Sequence, residues 1–321
     1  MKRPLIVLTG PTAVGKTALS IDLAKSLDGE IISADSMQVY RHMDVGSAKV
    51  TVEEAAGVPH HLVDVLEPWE EFHVVRFQEM AKRAMEEIYG RKRIPIIVGG
   101  TGFYIQALVY DIDFRENDGV TEIRRELERL GEERGNEFLH QMLETVDPDS
   151  ARAIHANNRR RVIRAIEYYR MTGQKISEHN REERRKASPY DVYYYVLTCN
   201  RSILYERIDR RVDQMLEQGL VAEVTALKEM GCRRGMSSMQ GLGYKEILDY
   251  LDGVCSLEEA VSILKRDTRH FAKRQITWFK RERDVRWLAM EDFSWNREQI
   301  LAHILEECGT ACRDFCDGSR K

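Results

Sequence analysis

The 321-residue chain, with 43% hydrophobic and 32% charged residues, 21 Gly and only 7 Pro, has the composition of a globular protein and not of a disordered, fibrous or collagen-like one. Its length predicts about two domains, or one large domain carrying an insertion. The formal net charge of −4 says little about polyanion binding because it averages over local fields, and no apolar run approaches the ~18 residues that span a bilayer.

Residues 5–8 form an apolar run, a Gly-rich turn follows, and 16–27 carry apolar residues at helical spacing, which predicts strand, loop, helix and the opening of a parallel α/β fold. The charged start Met1-Lys2-Arg3-Pro4 leads into an apolar run that breaks at Thr9-Gly10-Pro11. That run is too short for a signal peptide, so a cytoplasmic protein is expected. A short strand is predicted at 30–33, a helix at 74–89, and a buried strand at 94–98 ending in Gly99-Gly100-Thr101-Gly102, with a helix at 103–109. From 113 to 189 the pattern changes to charged helices, including 121–130, 138–146 and 160–171, before another strand at 192–197. Helices bracketed by strands of one sheet are most simply an insertion. The expected organisation is therefore a core of 1–112 and 190–321 with an all-helical insertion domain at 113–189. The remainder reads as helical, at 202–217, 221–230, 257–280 and from 297 onward.

Two runs are strongly basic. Residues 151–190 hold eleven Lys and Arg, Arg184 among them, against four acids, and 265–286 hold nine against three. Each is either a solvated helix face or part of a nucleic-acid surface. The six cysteines contain no C-x-x-C pair, so disulfides are not expected. Cys308, Cys312 and Cys316 recur every four residues and share a helical face; with no nearby His, a plain helix face is favoured over zinc.

Gly10-Pro11-Thr12-Ala13-Val14-Gly15-Lys16-Thr17 fits G-x-x-x-x-G-K-[ST] between a strand and a helix. In such a loop backbone N–H groups converge on phosphate oxygens, Lys16 reaches the distal phosphate, and the Thr17 hydroxyl can ligate Mg²⁺. The motif indicates a di- or triphosphate site without naming what carries the phosphates. Asp35 follows a strand end on the same sheet edge; it either acts on a ligand or caps its own turn. Thr101 opens on that edge too, as a hydroxyl for the ligand or as part of a plain turn. The strand at 94–98 ends in glycines and not in the Asp that usually helps hold Mg²⁺ in triphosphate hydrolases, which argues against ATP hydrolysis.

With these come Ile32-Ser33-Ala34-Asp35-Ser36-Met37-Gln38-Val39-Tyr40, Pro59-His60-His61-Leu62, Arg160-Arg161-Val162-Ile163-Arg164-Ala165-Ile166-Glu167, Gly241-Leu242-Gly243-Tyr244-Lys245-Glu246 and Thr268-Arg269-His270-Phe271-Ala272-Lys273-Arg274-Gln275-Ile276-Thr277-Trp278-Phe279. Together they make the chain resemble the tRNA dimethylallyltransferases, also called tRNA isopentenyltransferases, over nearly its full length. The resemblance implies a P-loop NTPase-like parallel sheet with an inserted tRNA-binding domain. It also implies Mg²⁺-dependent transfer of a dimethylallyl group from dimethylallyl diphosphate to N6 of the adenosine at position 37, 3′ of the anticodon. It places diphosphate binding on Gly10 to Thr17 and the catalytic Asp on Asp35. tRNA contacts fall on Asp35, Ser36, Met37, Gln38, Thr101, Arg124, Arg160, Arg161, Val162, Ile163 and Arg164. The zinc-finger tail of eukaryotic relatives is missing, which points to a bacterial-type enzyme; the resemblance also implies a monomer acting on the tRNA anticodon stem-loop, and no membrane is expected.

The chemistry fits this reading. An exocyclic adenine amine is a weak nucleophile, so catalysis rests on positioning and on helping the diphosphate leave. Lys16, Thr17 with Mg²⁺, and Arg207 or Arg211 could neutralise it, with Asp35 as general base. The base must be flipped out and its backbone held by basic residues, Lys273 and Arg274 of the second run included. The runner-up is a P-loop kinase of a small metabolite or nucleotide, and a third reading is an RNA-binding module using ATP as a switch.

Overall fold

The computed structural model describes residues 2–114, 121–183 and 185–318. Arg184, counted in the first basic run, lies outside the described residues. Six parallel strands make one sheet: β1 (Pro4–Thr9), β2 (Gly29–Ser33), β3 (His60–His61), β4 (Ile94–Gly99), β5 (Asp191–Thr198) and β6 (Val285–Ala289), in the order β3-β2-β4-β1-β5-β6. Its central strand β1 pairs Ile6 with Ile96 on one side and with Tyr193 on the other. β1 is buried at every position, and the continuous apolar runs of β1 and β4 suit a sheet covered on both faces.

The helices are α1 (Lys16–Leu27), α2 (Val52–Ala55), α3 (Val74–Gly90), α4 (Gly102–Val109), α5 (Glu122–Arg134), α6 (Asn136–Val146), α7 (Pro148–Ala153), α8 (Arg159–Thr172), α9 (Ile176–Glu183), α10 (Arg201–Glu217), α11 (Leu220–Glu229), α12 (Tyr244–Leu251), α13 (Leu257–Phe279) and α14 (Arg297–Asp317). Several begin where side-chain chemistry predicts. Ser256 and Glu259 form a reciprocal cap on α13, and the Asn200 side chain accepts the Ser202 amide at the start of α10. α14 packs on α1 through Ile300, Ile304, Cys308 and Cys312, all in the main core. All six cysteines are free, with Cys308 and Cys312 buried and Cys316 half-buried on α14.

The expectation that everything after 197 is helical is corrected by β6. The chain forms two compact units, one of 1–109 and 189–321 and one of 110–188. The second has a core of its own, built on Leu127, Leu139, Leu143, Val162, Ile163 and Ile166. Its polar hub is Asp147, fully buried, which accepts from the amides and hydroxyls of Ser150 and Ser177. Burial alone would raise its pKa, but these donors outweigh it and hold the carboxyl below its ordinary value. Among the described residues no helix is long and apolar enough to cross a membrane.

Candidate active site

The loop after β1 turns sharply enough to need left-handed backbone at Gly10 (φ 147°), Ala13 (φ 65°) and Gly15 (φ 112°). A Cβ on Gly10 would sit 2.4 Å from the Leu197 carbonyl oxygen of β5. Val14 is buried in the core, so it offers only backbone to a ligand. Lys16 Nζ donates to the Gly10 and Pro11 carbonyls at 2.9 and 2.8 Å. Burial, reinforced by the nearby Arg211 and opposed by Asp35, pushes its pKa down to about 7.

Asp35 follows β2 on the same sheet edge. Its Oδ1 accepts the Met37 amide at 2.8 Å and, more weakly, the Gln38 amide at 3.4 Å. It therefore caps its turn while lining one cavity of about 1000 Å³ with Lys16, Thr17, Arg207 and Arg211. Its turn-capping role and its place on the cavity wall are compatible. Arg207 Nε donates to the Ala13 carbonyl at 2.8 Å, and its guanidinium stands 5.0 Å from the Trp295 ring centroid. Burial pulls the Arg211 guanidinium below its ordinary pKa, offset in part by Asp35 and Glu54; an arginine stays charged under such a shift. The cavity thus gathers Lys16, Arg207 and Arg211 around the loop of residues 10–17, with Asp35, Asp22, Asp44 and Glu54 as its lining carboxylates.

Thr101 starts α4: its amide donates to the Ala34 carbonyl at 3.2 Å and its carbonyl receives the Tyr104 amide at 2.9 Å. It sits at the Asp35 strand end but is not among the cavity's lining residues. Ser36 and Met37 are half-buried on the Asp35 turn. Sequence reasoning missed Gln275. It is buried on α13, accepts the Thr12 amide at 2.9 Å and donates to the Gly100 carbonyl at 3.0 Å, tying the phosphate loop to the turn after β4. Its signal was a lone amide among the apolar and basic residues of the α13 block.

Of the segment 160–164, Arg160 and Arg161 are exposed, and among the described residues neither has an ion pair. Val162 and Ile163 correct the expectation of contact along the whole segment, because at 0% and 4% exposure their side chains are core. Arg124 donates to Glu167, fully buried, at 2.6 Å, and Arg164 lies 3.7 Å from the same carboxylate. These two arginines serve an internal network. On α13 the pattern divides likewise. Lys265 and Arg269 pair with Asp213 and Asp209 at 2.5 and 2.7 Å, whereas Lys273, Arg274 and Arg281 line a groove of about 440 Å³ together with His270, Thr277 and Trp278.

The IPP transferase family profile matches residues 38–282, and an isopentenyl transferase profile matches 3–64. The chain belongs to the IPP transferase family. A tRNA dimethylallyltransferase of Lachnoclostridium phytofermentans is 63% identical over 91% of this chain and 93% of its own length, and one of Carboxydothermus hydrogenoformans is 48% identical over 96% and 98%. The crystal structure of a tRNA isopentenylpyrophosphate transferase from Bacillus halodurans superposes with a TM-score of 0.71 at 45% identity, covering 97% of this chain and 99% of that one. A eukaryotic dimethylallyltransferase caught acting on tRNA superposes with a TM-score of 0.82 at 31% identity, over 96% of this chain and 80% of that one.

Proposed function

We propose that this IPP transferase moves a dimethylallyl group from dimethylallyl diphosphate to N6 of adenosine 37, 3′ of the anticodon, in tRNA. The observation that carries the reading is one cavity in which Lys16, Thr17, Arg207 and Arg211 face Asp35, in a chain with such close tRNA-modifying relatives. The N6 lone pair forms the new bond to the allylic C1 as the C1–O bond breaks, and the electron pair leaves with diphosphate. Lys16 and the two arginines hold that growing negative charge. Asp35, fixed through Oδ1, takes the proton that the amine sheds as it becomes positive.

Thr17 lies exposed on the cavity, and its hydroxyl is the hard oxygen that Mg²⁺ prefers. That ion usually takes few protein ligands and completes its shell with water and substrate phosphate. Among the described residues no cluster of three His, Cys, Asp or Glu offers a different metal site. When bound, Mg²⁺ would supply Lewis-acid neutralisation of the diphosphate. The exposed Arg160 and Arg161, and the α13 groove with Lys273 and Arg274, would hold tRNA phosphates. A tRNA substrate is what supports a cytoplasmic location.

Mass analysis of tRNA incubated with the protein, Mg²⁺ and dimethylallyl diphosphate tests the whole reading. A prenylated adenosine 37 with equimolar diphosphate is expected. Consumption of ATP with unmodified tRNA would replace this reading by a kinase, and tRNA binding with no product by a binding module.

A further inference from the structure

The Gly241 to Glu246 block and α11 are not part of the chemistry described above, yet they close on a loop that borders it. Glu223, on α11, accepts three consecutive backbone amides: Asp44 and Val45 at 2.7 Å on Oε2, and Gly46 at 3.0 Å on Oε1. The Tyr244 hydroxyl donates to the same Oε1 at 2.8 Å. Burial and the neighbouring carboxylate both raise the tyrosine's pKa, so it remains a donor. Gly46 lies so close under the Tyr244 ring that a Cβ there would stand 2.6 Å from it. One carboxylate, one phenol and one bare backbone position thus fix residues 44–46.

The next two residues hold Gln38. Its Nε2 donates to the Ser47 and Ala48 carbonyls, both at 3.4 Å, and its Oε1 accepts the Ser33 hydroxyl at 2.9 Å. Carbonyl oxygens accept only, so the amino end must face 47 and 48 and the amide orientation is set by chemistry. An amide oxygen has a second lone pair, so Oε1 keeps one acceptor position beyond the Ser33 hydroxyl. Gln38, Asp35 and Ser33 line the same cavity, which therefore presents acceptors at this point. Acceptors favour a base that offers an exocyclic amine over one that offers a carbonyl.

We propose that Glu223, with Tyr244, is a positioning residue for base selection. It clamps 44–46 so that the Ser47 and Ala48 carbonyls occupy the Gln38 amino group and leave its oxygen as the free acceptor, and adenine is accepted where a 6-keto purine is refused. This rests on the reading of the cavity as the site of the target base. Without the clamp the loop can shift, the long 3.4 Å contacts are lost first, and the amide is free to turn.

The test measures binding of two anticodon stem-loops that differ only in adenosine or inosine at the target position, with wild type, Glu223→Ala, Glu223→Gln, Tyr244→Phe, Gln38→Ala and the Glu223→Ala/Gln38→Ala pair. Steady-state prenylation is followed in parallel. Preference for adenosine over inosine is expected to fall about tenfold in Glu223→Ala and Gln38→Ala, the size of one lost base contact. It should fall less in Tyr244→Phe and in Glu223→Gln, which keeps one acceptor oxygen. The double variant should lose no more than either single one. KM for dimethylallyl diphosphate should stay within about twofold, since the phosphate loop is untouched. Should Glu223→Ala fail to fold, the Gln and Phe variants carry the comparison. Unchanged preference in folded Glu223 variants, or additive losses in the pair, overturns the clamp even if Gln38→Ala loses preference. A wild type without any preference, or without product, overturns the reading of the cavity instead.

Discussion

The Asp35 carboxylate spends Oδ1 on the Met37 and Gln38 amides, and among the described residues Oδ2 has no hydrogen-bond partner. An Asp35→Asn variant keeps an oxygen for the turn but cannot take a proton. Single-turnover transfer should slow about 10²- to 10⁴-fold, the range for a lost general base, with tRNA affinity nearly intact. Near wild-type rates would reduce Asp35 to its cap. Lys16 supports a second prediction. Its pKa of about 7 in the free protein, against 10.5 ordinarily, means that a bound diphosphate should restore the charge. Binding at pH 8 should therefore take up close to one proton, seen as a calorimetric enthalpy that depends on buffer ionisation and absent in Lys16→Ala. The unfolded chain binds more protons between 7 and 10.5, so this group's contribution to stability rises with pH across that window, its penalty being complete below 7. The Gly-rich turn of residues 10–17 between β1 and α1 was legible in the sequence because its glycines fall where the backbone turns left-handed, whereas the charges that tune Lys16, Arg211 on α10 and Asp35 after β2, come from other elements.

Elements with a strong period or an unbroken apolar run were legible: β1, β4, β5, α1, α3 and α13 lie within a residue or two of expectation. β6 was not. Val285-Arg286-Trp287-Leu288-Ala289 is a five-residue edge strand whose Arg286 pairs with Glu307 at 2.8 Å, so a charge interrupts the run and it reads as the tail of the basic helix. β3, two residues long, has no period at all. The cavity region is tied together by links between elements that no local pattern announces. Gln275 is one, bridging α13, the phosphate loop and the β4 turn. Gln275→Ala leaves the Thr12 amide and the Gly100 carbonyl without this partner. A stability loss of about 1–3 kcal/mol in urea unfolding is expected at roughly 1 kcal/mol per hydrogen bond, along with a raised KM for dimethylallyl diphosphate. If KM is unchanged, Gln275 is a packing residue only.

At the scale of the molecule, the basic character of residues 151–190 divides into charges that build the helical unit and charges that face outward, a division that counting along the sequence could not make. Glu167 is fully buried and is held by Thr121 at 2.5 Å, Arg124 at 2.6 Å and Arg164 at 3.7 Å. Arg170 and Arg181 are likewise spent on Glu126 and Asp149, at 3.1 and 2.9 Å. Arg160 and Arg161 sit exposed at the start of α8. If the outward pair meets tRNA phosphates, each substitution to Ala should weaken binding across tRNA sequences and lower the slope of log affinity against log salt by about one unit or less, with the melting temperature little changed. Arg124→Ala should do the reverse. It strips a buried carboxylate of its best partner, which costs on the order of 3 kcal/mol, and leaves the salt slope of the folded fraction as it was. Titrating tRNA binding at several salt concentrations beside thermal unfolding separates the two effects. An Arg124 variant that is fully stable yet loses salt dependence would move this arginine to the RNA surface, and an unchanged slope in the Arg160→Ala/Arg161→Ala double variant would remove α8 from it.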